Sequence, residues 1–320
     1  MNTFLVTGGA GFIGSHLVES LLKQGHAVRI LDNLSHGCFD NLSFLDHYAS
    51  NRYTWIDGDI RDATCCAHAM QGVDYVVHQA ALGSVPKSIE FPLDYHDNNV
   101  TGTLNVLLAA RDQGVKRVVQ ASSSAIYGDS QALPKTESII PAPLSPYALS
   151  KLMCEYYASM MQSVYHFPVV SLRYFNVFGP RQDPNSQYAA VIPKFVTAWL
   201  QNCSPVIHSD GEQTRDFTYI DNVVQANIHA CFSDSRSAGQ VYNIGNGVNT
   251  SVNHLATTIQ TLLGKSQFPI YEPARPGDVR DSLADIERAQ AEIGYAPTVQ
   301  LAEGLKKTVA LYTKQLKVSG

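Results

Sequence analysis

The run Thr3-Phe4-Leu5-Val6-Thr7-Gly8-Gly9-Ala10-Gly11-Phe12-Ile13-Gly14 joins a short, β-branched strand candidate to a helix that begins near Phe12. Its glycines are spaced Gly8-x-x-Gly11-x-x-Gly14. Glycines at such a junction permit a tight turn, close backbone approach to phosphates and tight helix–sheet packing, while the helix N-terminus offers unpaired N–H groups and positive potential. The run predicts a dinucleotide pyrophosphate site at a strand-to-helix turn.

Outward from this run, short apolar strands alternate with helical patterns. Strand candidates are Thr3–Thr7, Ala27–Leu31, Tyr53–Ile56, Tyr75–His78, Arg117–Ala121 and Val169–Arg173, with helices over about 14–24, 64–70, 98–113 and 146–164 between them. This rhythm predicts an α/β fold, a Rossmann doubly wound parallel sheet covered by helices. Beyond Asn176 prolines and glycines break it up, which implies a smaller, discontinuous α/β substrate-binding lobe. The expected division is a cofactor domain over 1–176, to which 217–246 returns, and a second lobe over 177–216 and 247–320.

The chain has 320 residues, 45% hydrophobic and 16% charged, with a net charge of −5. That composition excludes a disordered protein, and without a Lys/Arg cluster it makes nucleic acid and anionic membrane surfaces poor partners. The six cysteines show no CxxC pair and no metal-ligand spacing, so free thiols in a reducing compartment and no metal are expected. No signal peptide precedes the first glycines and no stretch is long and apolar enough to span a bilayer, which suggests a cytoplasmic protein.

Asp32 ends the second strand candidate, where a carboxylate can accept both adenosine ribose hydroxyls and would repel a 2′-phosphate. No arginine follows in Asn33-Leu34-Ser35-His36-Gly37, so NAD is expected rather than NADP. The spacing Tyr147-x-x-x-Lys151 follows Ser122-Ser123-Ser124 at the end of the fifth strand. Ser145-Pro146 is a good N-cap and first-turn pair, which puts Tyr147 and Lys151 about 40° apart on one helix face. An ammonium one turn from a phenol favours the phenolate, so Lys151 is expected to lower the Tyr147 pKa.

Together these motifs resemble the extended short-chain dehydrogenase/reductases, and within them the nucleotide-sugar 4-epimerases. The resemblance covers nearly the whole chain. It is carried also by Gly58-Asp59-Ile60, His78-Gln79-Ala80-Ala81, Tyr127-Gly128, Arg173-Tyr174-Phe175-Asn176-Val177-Phe178-Gly179-Pro180, Arg215-Asp216-Phe217 and Arg275-Pro276-Gly277-Asp278. It implies tightly bound NAD as a transient oxidant of sugar C4, with Tyr147 taking the 4-hydroxyl proton, Ser123 hydrogen-bonding the same oxygen, and Lys151 binding the nicotinamide ribose and tuning Tyr147. Ser124 is the alternative to Ser123. The implied cofactor site comprises Gly8, Gly11, Phe12, Ile13, Gly14, Asp32, Asn33, Ser35, Gly37, Asp59, Ile60, Gln79, Ala80, Ala81, Asn98, Ser122 and Tyr174. Family members that dehydrate or decarboxylate carry acidic residues just after the catalytic hydroxyl, where this chain has Ser124 and Ala125.

For the substrate, the resemblance assigns Asn176 to the sugar or diphosphate, Arg215 and Arg275 to the diphosphate, Asp278 to the uridine ribose, and Val206 and His208 to the uracil pocket. Gly83, Ser84, Ala190 and Val191 match the branch that acts on N-acetylated UDP-hexosamines. Ser282 stands where a tyrosine closes the pocket in the glucose/galactose branch, so UDP-N-acetylglucosamine to UDP-N-acetylgalactosamine interconversion is expected. UDP-glucose and UDP-(N-acetyl)glucuronate are the alternatives, with a non-catalytic NAD-binding protein further off because Tyr147 and Lys151 both stand. Apolar stripes on helices 98–113 and 146–164, the latter through Leu149, Leu152, Met153, Tyr156, Tyr157 and Met160, match the family's four-helix homodimer interface.

Overall fold

The computed structural model describes residues 1–183, 191–274 and 279–318. Seven strands, β1 (Thr3–Thr7), β2 (Ala27–Asp32), β3 (Tyr53–Asp57), β4 (Tyr75–His78), β5 (Arg117–Ser123), β6 (Val169–Tyr174) and β7 (Val241–Ile244), form one parallel sheet. Their order is β7-β6-β5-β4-β1-β2-β3. The direction of winding reverses between β1 and β4. In open α/β sheets ligands bind at the carboxyl ends of the strands flanking that reversal.

Side chains alternate along each strand, so both faces of the sheet need cover. Phe4, Val6, Val28, Ile30 and Val77 pack against Leu17, Val18 and Leu21 of α1 (Phe12–Lys23). Leu5, Leu31, Val76, Val118 and Val169 point the other way, against Cys66 and Ala69 of α2 (Ala63–Ala69), Val106 and Leu107 of α3 (Gly102–Asp112), and Ala158 and Met161 of α4 (Pro146–Tyr165). The first of these clusters continues without a break into Trp199, Ile207, Leu255 and Ile259. The residues after Asn176 therefore share a core with the sheet. They form three two-stranded sheets, of which Thr214–Asp216 with Asn249–Ser251 is antiparallel, and Val206–His208 with Ile270–Glu272 is parallel.

α5 (Ile220–Phe232) packs beside α1, and β7 pairs with β6. The helix expected over 98–113 is shorter, because a π turn over His96–Thr101 precedes α3. Wider turns of this kind occur often at functional sites. The stripe expected on α4 also divides: Leu152 is buried, whereas Leu149 and Tyr156 are exposed. Among the described residues no helix is long and apolar enough to cross a membrane.

α4 begins as its sequence dictates. The Ser145 hydroxyl accepts from Ala148 N at 3.1 Å, Pro146 occupies the first turn, and left-handed His166 (φ 54°) ends the helix. Ser145→Ala removes that acceptor and should lower stability by about 1 kcal/mol. The expected readout is a lower urea midpoint at an unchanged denaturant slope.

Candidate active site

The ends of β1, β2, β4 and β5 open on a cavity of about 360 Å³. Gly8, Gly11, Phe12, Ile13 and Gly14 line one side, Asp32, Asn33, Ser35 and Gly37 the next, and Gln79, Ala80, Ala81, Gly83, Asn98, Ser122, Tyr147, Lys151 and Tyr174 the remainder. Its floor is backbone. A Cβ on Gly14 would stand 2.0 Å from Gly8 O, and one on Gly8, itself at φ +67°, would stand 2.7 Å from Ala80 N.

The first turn of α1 carries no acidic residue, and Gly11 at its N-cap supplies no capping side chain. That helix end is left to an outside anion. Asp32, mostly buried, accepts from Ala10 N (2.9 Å) and Leu34 N (2.8 Å), which fixes its carboxylate at the cavity edge. Uncapped helix N-terminus, glycine floor and fixed carboxylate suit pyrophosphate and an unsubstituted ribose, so the residues present fit NAD.

One cofactor expectation changes. Gly58 and Ile60 line the cavity, but the Asp59 carboxylate is taken up by Arg61, with Arg61 Nη2 at 2.6 Å and Asn33 Nδ2 at 3.0 Å. Those partners, Arg61 foremost, hold the Asp59 pKa down at about 2. Ser122 reaches the cavity wall, yet its hydroxyl donates to Glu155 Oε1 at 2.5 Å rather than into the cavity.

The Ser123 hydroxyl at the end of β5 interacts with Tyr147, and accepts from Ala125 N at 3.2 Å. Burial nevertheless pushes the Tyr147 pKa above its ordinary value, and the Ser123 hydrogen bond only offsets part of that. The lowering expected from Lys151 does not prevail over burial, and the ammonium, its own pKa lowered by burial, donates to Ala121 O at 3.0 Å. Ser124 opens the single turn Ser124–Tyr127. Ser84 caps the short helix Val85–Glu90 by accepting from Lys87 N at 3.3 Å.

A second cavity of about 260 Å³ is lined by Asn176, Val191, Val206, His208 and Arg215, together with Lys194, Phe195, Gln213, Phe217 and Val252. Asn176 sits at φ 31° and donates to Asp216 O at 3.1 Å. Buried Asp216 also accepts from Asn246 N (2.7 Å), Gly247 N (3.0 Å) and Ala284 N (3.1 Å). Half-buried Ser282 is held through its own N–H on Thr214 O at 3.2 Å, and lines neither cavity. Ala190, Arg275 and Asp278 lie outside the described residues.

Sequence reasoning missed Lys194, one turn beyond Val191 on the same helix. It also missed Asn99, whose side-chain amide brackets Leu82 N (2.8 Å) and Leu82 O (3.0 Å), and Tyr95, whose ring meets Tyr147 edge-on at 6.4 Å. The pair Asn98-Asn99 was the available signal, but the π turn decides which asparagine faces the cavity. No group of three His, Cys, Asp or Glu side chains is placed to hold a metal among the described residues.

The family model described as "NAD dependent epimerase/dehydratase family" matches residues 4–245. A UDP-glucose 4-epimerase of Mycolicibacterium smegmatis is 39% identical over 96% of this chain and 97% of its own length. The solved UDP-N-acetylglucosamine 4-epimerase of Methanobrevibacter ruminantium, in complex with UDP-N-acetylmuramic acid, is 42% identical with a TM-score of 0.93, covering 98% of this chain and 99% of that one. A UDP-glucuronic acid 4-epimerase of Bacillus cereus, in complex with UDP-glucuronic acid and NAD, is 32% identical with a TM-score of 0.90, covering 98% of this chain and 99% of that one.

Gly14→Ala should displace the turn and abolish cofactor retention, measured as NAD released on denaturation of the purified protein. Tyr147→Phe should retain that NAD while losing turnover by about 100-fold or more. Equal NAD content in Gly14→Ala and the parent would count against the assigned pyrophosphate site.

Proposed function

Because the chain belongs to the NAD dependent epimerase/dehydratase family and is an NAD-dependent UDP-sugar 4-epimerase, an isomerase, we propose that it interconverts UDP-N-acetylglucosamine and UDP-N-acetylgalactosamine. The observation that carries the chemistry is Tyr147 and Lys151 at the wall of the glycine-floored cavity, with the Ser123 hydroxyl acting on Tyr147 from the end of β5. When bound there, NAD supplies a reversible two-electron oxidant, so the sugar can leave inverted at C4 with no net oxidation.

Ser123 holds the sugar O4, and Tyr147 takes its proton and later returns it. In the free protein burial favours the neutral phenol, so the Ser123 hydrogen bond is the local group working toward the phenolate. Lys151, on the same face of α4, reaches the nicotinamide ribose. Ser124 and Ala125 offer no acid or base for elimination at C5 and C6, which supports simple epimerisation over dehydration or decarboxylation.

Asn176 and Arg215 grip the sugar diphosphate, as suits a forked guanidinium, and Val206 and His208 flank the uracil. Arg275, Asp278 and Ala190 complete this reading, with 177–216 and 247–320 as the substrate lobe against an NAD domain of 1–176 and 217–246. The N-acetyl preference rests on the small side chain of Ser282 and on the likeness to the UDP-N-acetylglucosamine 4-epimerase. Two copies pair through α3 and α4, a reading supported by the exposed Leu149 (48%) and Tyr156 (63%).

A coupled assay across UDP-N-acetylglucosamine, UDP-glucose, UDP-glucuronate and UDP-N-acetylglucosaminuronate should give the highest kcat/KM for the first. Ser282→Tyr should lower that value at least about tenfold by overpacking the acetyl site, and leave UDP-glucose turnover intact. Unchanged turnover of the acetylated substrate by this variant would remove Ser282 as the gate. In solution the expected mass is twice that of the chain, and a monomeric mass would overturn the pairing of α3 and α4.

A further inference from the structure

Three consecutive residues of β5 are each tied to α4. The Ser123 hydroxyl interacts with Tyr147, Ala121 O accepts from Lys151 Nζ at 3.0 Å, and Ser122 Oγ donates to Glu155 Oε1 at 2.5 Å. Tyr147, Lys151 and Glu155 follow at four-residue spacing, so they rise along one side of the helix. Two of these ties involve groups already assigned to the reaction. The third does not, and it is the one that fixes the residue next to Ser123.

Glu155 is itself held on its far side. Arg173 of β6 donates to it through Nε (2.9 Å) and Nη2 (2.7 Å), then through Nη1 to Tyr127 Oη (2.8 Å). The Tyr127 hydroxyl donates to Asn243 Oδ1 at 2.7 Å, and Asn243 Nδ2 donates to Lys135 O (2.8 Å) and Asp285 O (3.2 Å). Ser122, Glu155, Arg173, Tyr127 and Asn243 are all at most 4% exposed. A buried ion pair is poor evidence for stability, because desolvation offsets its attraction, and a registry role is its best attested use. Here every side-chain oxygen of the pair and its neighbours has at least one geometrically defined partner, so β5 cannot slide along α4 without breaking several charge-assisted bonds at once.

We infer that Ser122 and Glu155, braced by Arg173 and Tyr127, are positioning residues that set the register of Ser123 against Tyr147. This rests on the proposed role of Ser123 at the sugar O4. Catalytic geometry is sensitive to displacements of about 1 Å, whereas binding of the distant uridine diphosphate is not. Loss of the Ser122 hydroxyl therefore acts on kcat and leaves KM and bound NAD alone.

The test is a double-mutant cycle on the NAD-loaded enzyme with UDP-N-acetylglucosamine and UDP-glucose. Ser122→Ala should lower kcat about tenfold at unchanged KM and NAD content, and Tyr127→Phe should lower it less, in the same direction. In the Ser123→Ala background Ser122→Ala should produce no further loss, because it acts only through Ser123. A purely structural role predicts losses that multiply, and that result would overturn the inference. So would full kcat in Ser122→Ala while Ser123→Ala is impaired. Full turnover by Ser123→Ala itself would remove the reading of the site, and this inference with it.

Discussion

The constraint on which the site depends is the crossing of the first turn of α1 over Gly8, where a single methyl group on Gly14 would come within 2.0 Å of a backbone oxygen. That approach brings an uncapped helix end directly against the carboxyl ends of β1 and β4, where the sheet reverses its winding. Anion affinity and topology coincide there. A larger residue at either glycine would lift the helix away from the sheet and remove the backbone floor on which a pyrophosphate rests.

From that crossing the rest of the site is a matter of register between β5 and α4. α4 turns one side toward the cavity with Tyr147 and Lys151, packs Ala158 and Met161 into the sheet, and leaves Leu149 and Tyr156 outside. Burial works against charge at both catalytic positions, raising the phenol and lowering the ammonium. The hydrogen bond from Lys151 to Ala121 O fixes the direction of the ammonium.

Much of this was legible in the residues. Six of the seven sheet strands lie where the apolar runs predict them, because a parallel sheet buried on both faces must be apolar nearly throughout. The glycine spacing and Tyr147-x-x-x-Lys151 were readable because each is a local pattern whose meaning depends on the strand or helix holding it. Other features were not. The π turn that brings Asn99 to Leu82, the capture of Asp59 by Arg61, and the turning of Ser122 toward Glu155 depend on which neighbours compete for a polar group. Lys194 was overlooked for a similar reason, since a lysine on an amphipathic helix reads as solvated until its cavity is known.

The amino-acid sequence by itself determined the alternation of strands and helices, the cradle for a dinucleotide, the carboxylate at its ribose end and the phenol–ammonium pair. These follow from period, backbone freedom and charge sign, all properties of short segments. Tertiary structure alone decided how those groups behave. It raised the Tyr147 pKa that local spacing had lowered, tied three successive residues of β5 to one helix, and joined the residues after Asn176 to the same apolar cluster as β1. Desolvation, hydrogen-bond competition and packing involve partners far apart in the chain, and no local pattern carries that information.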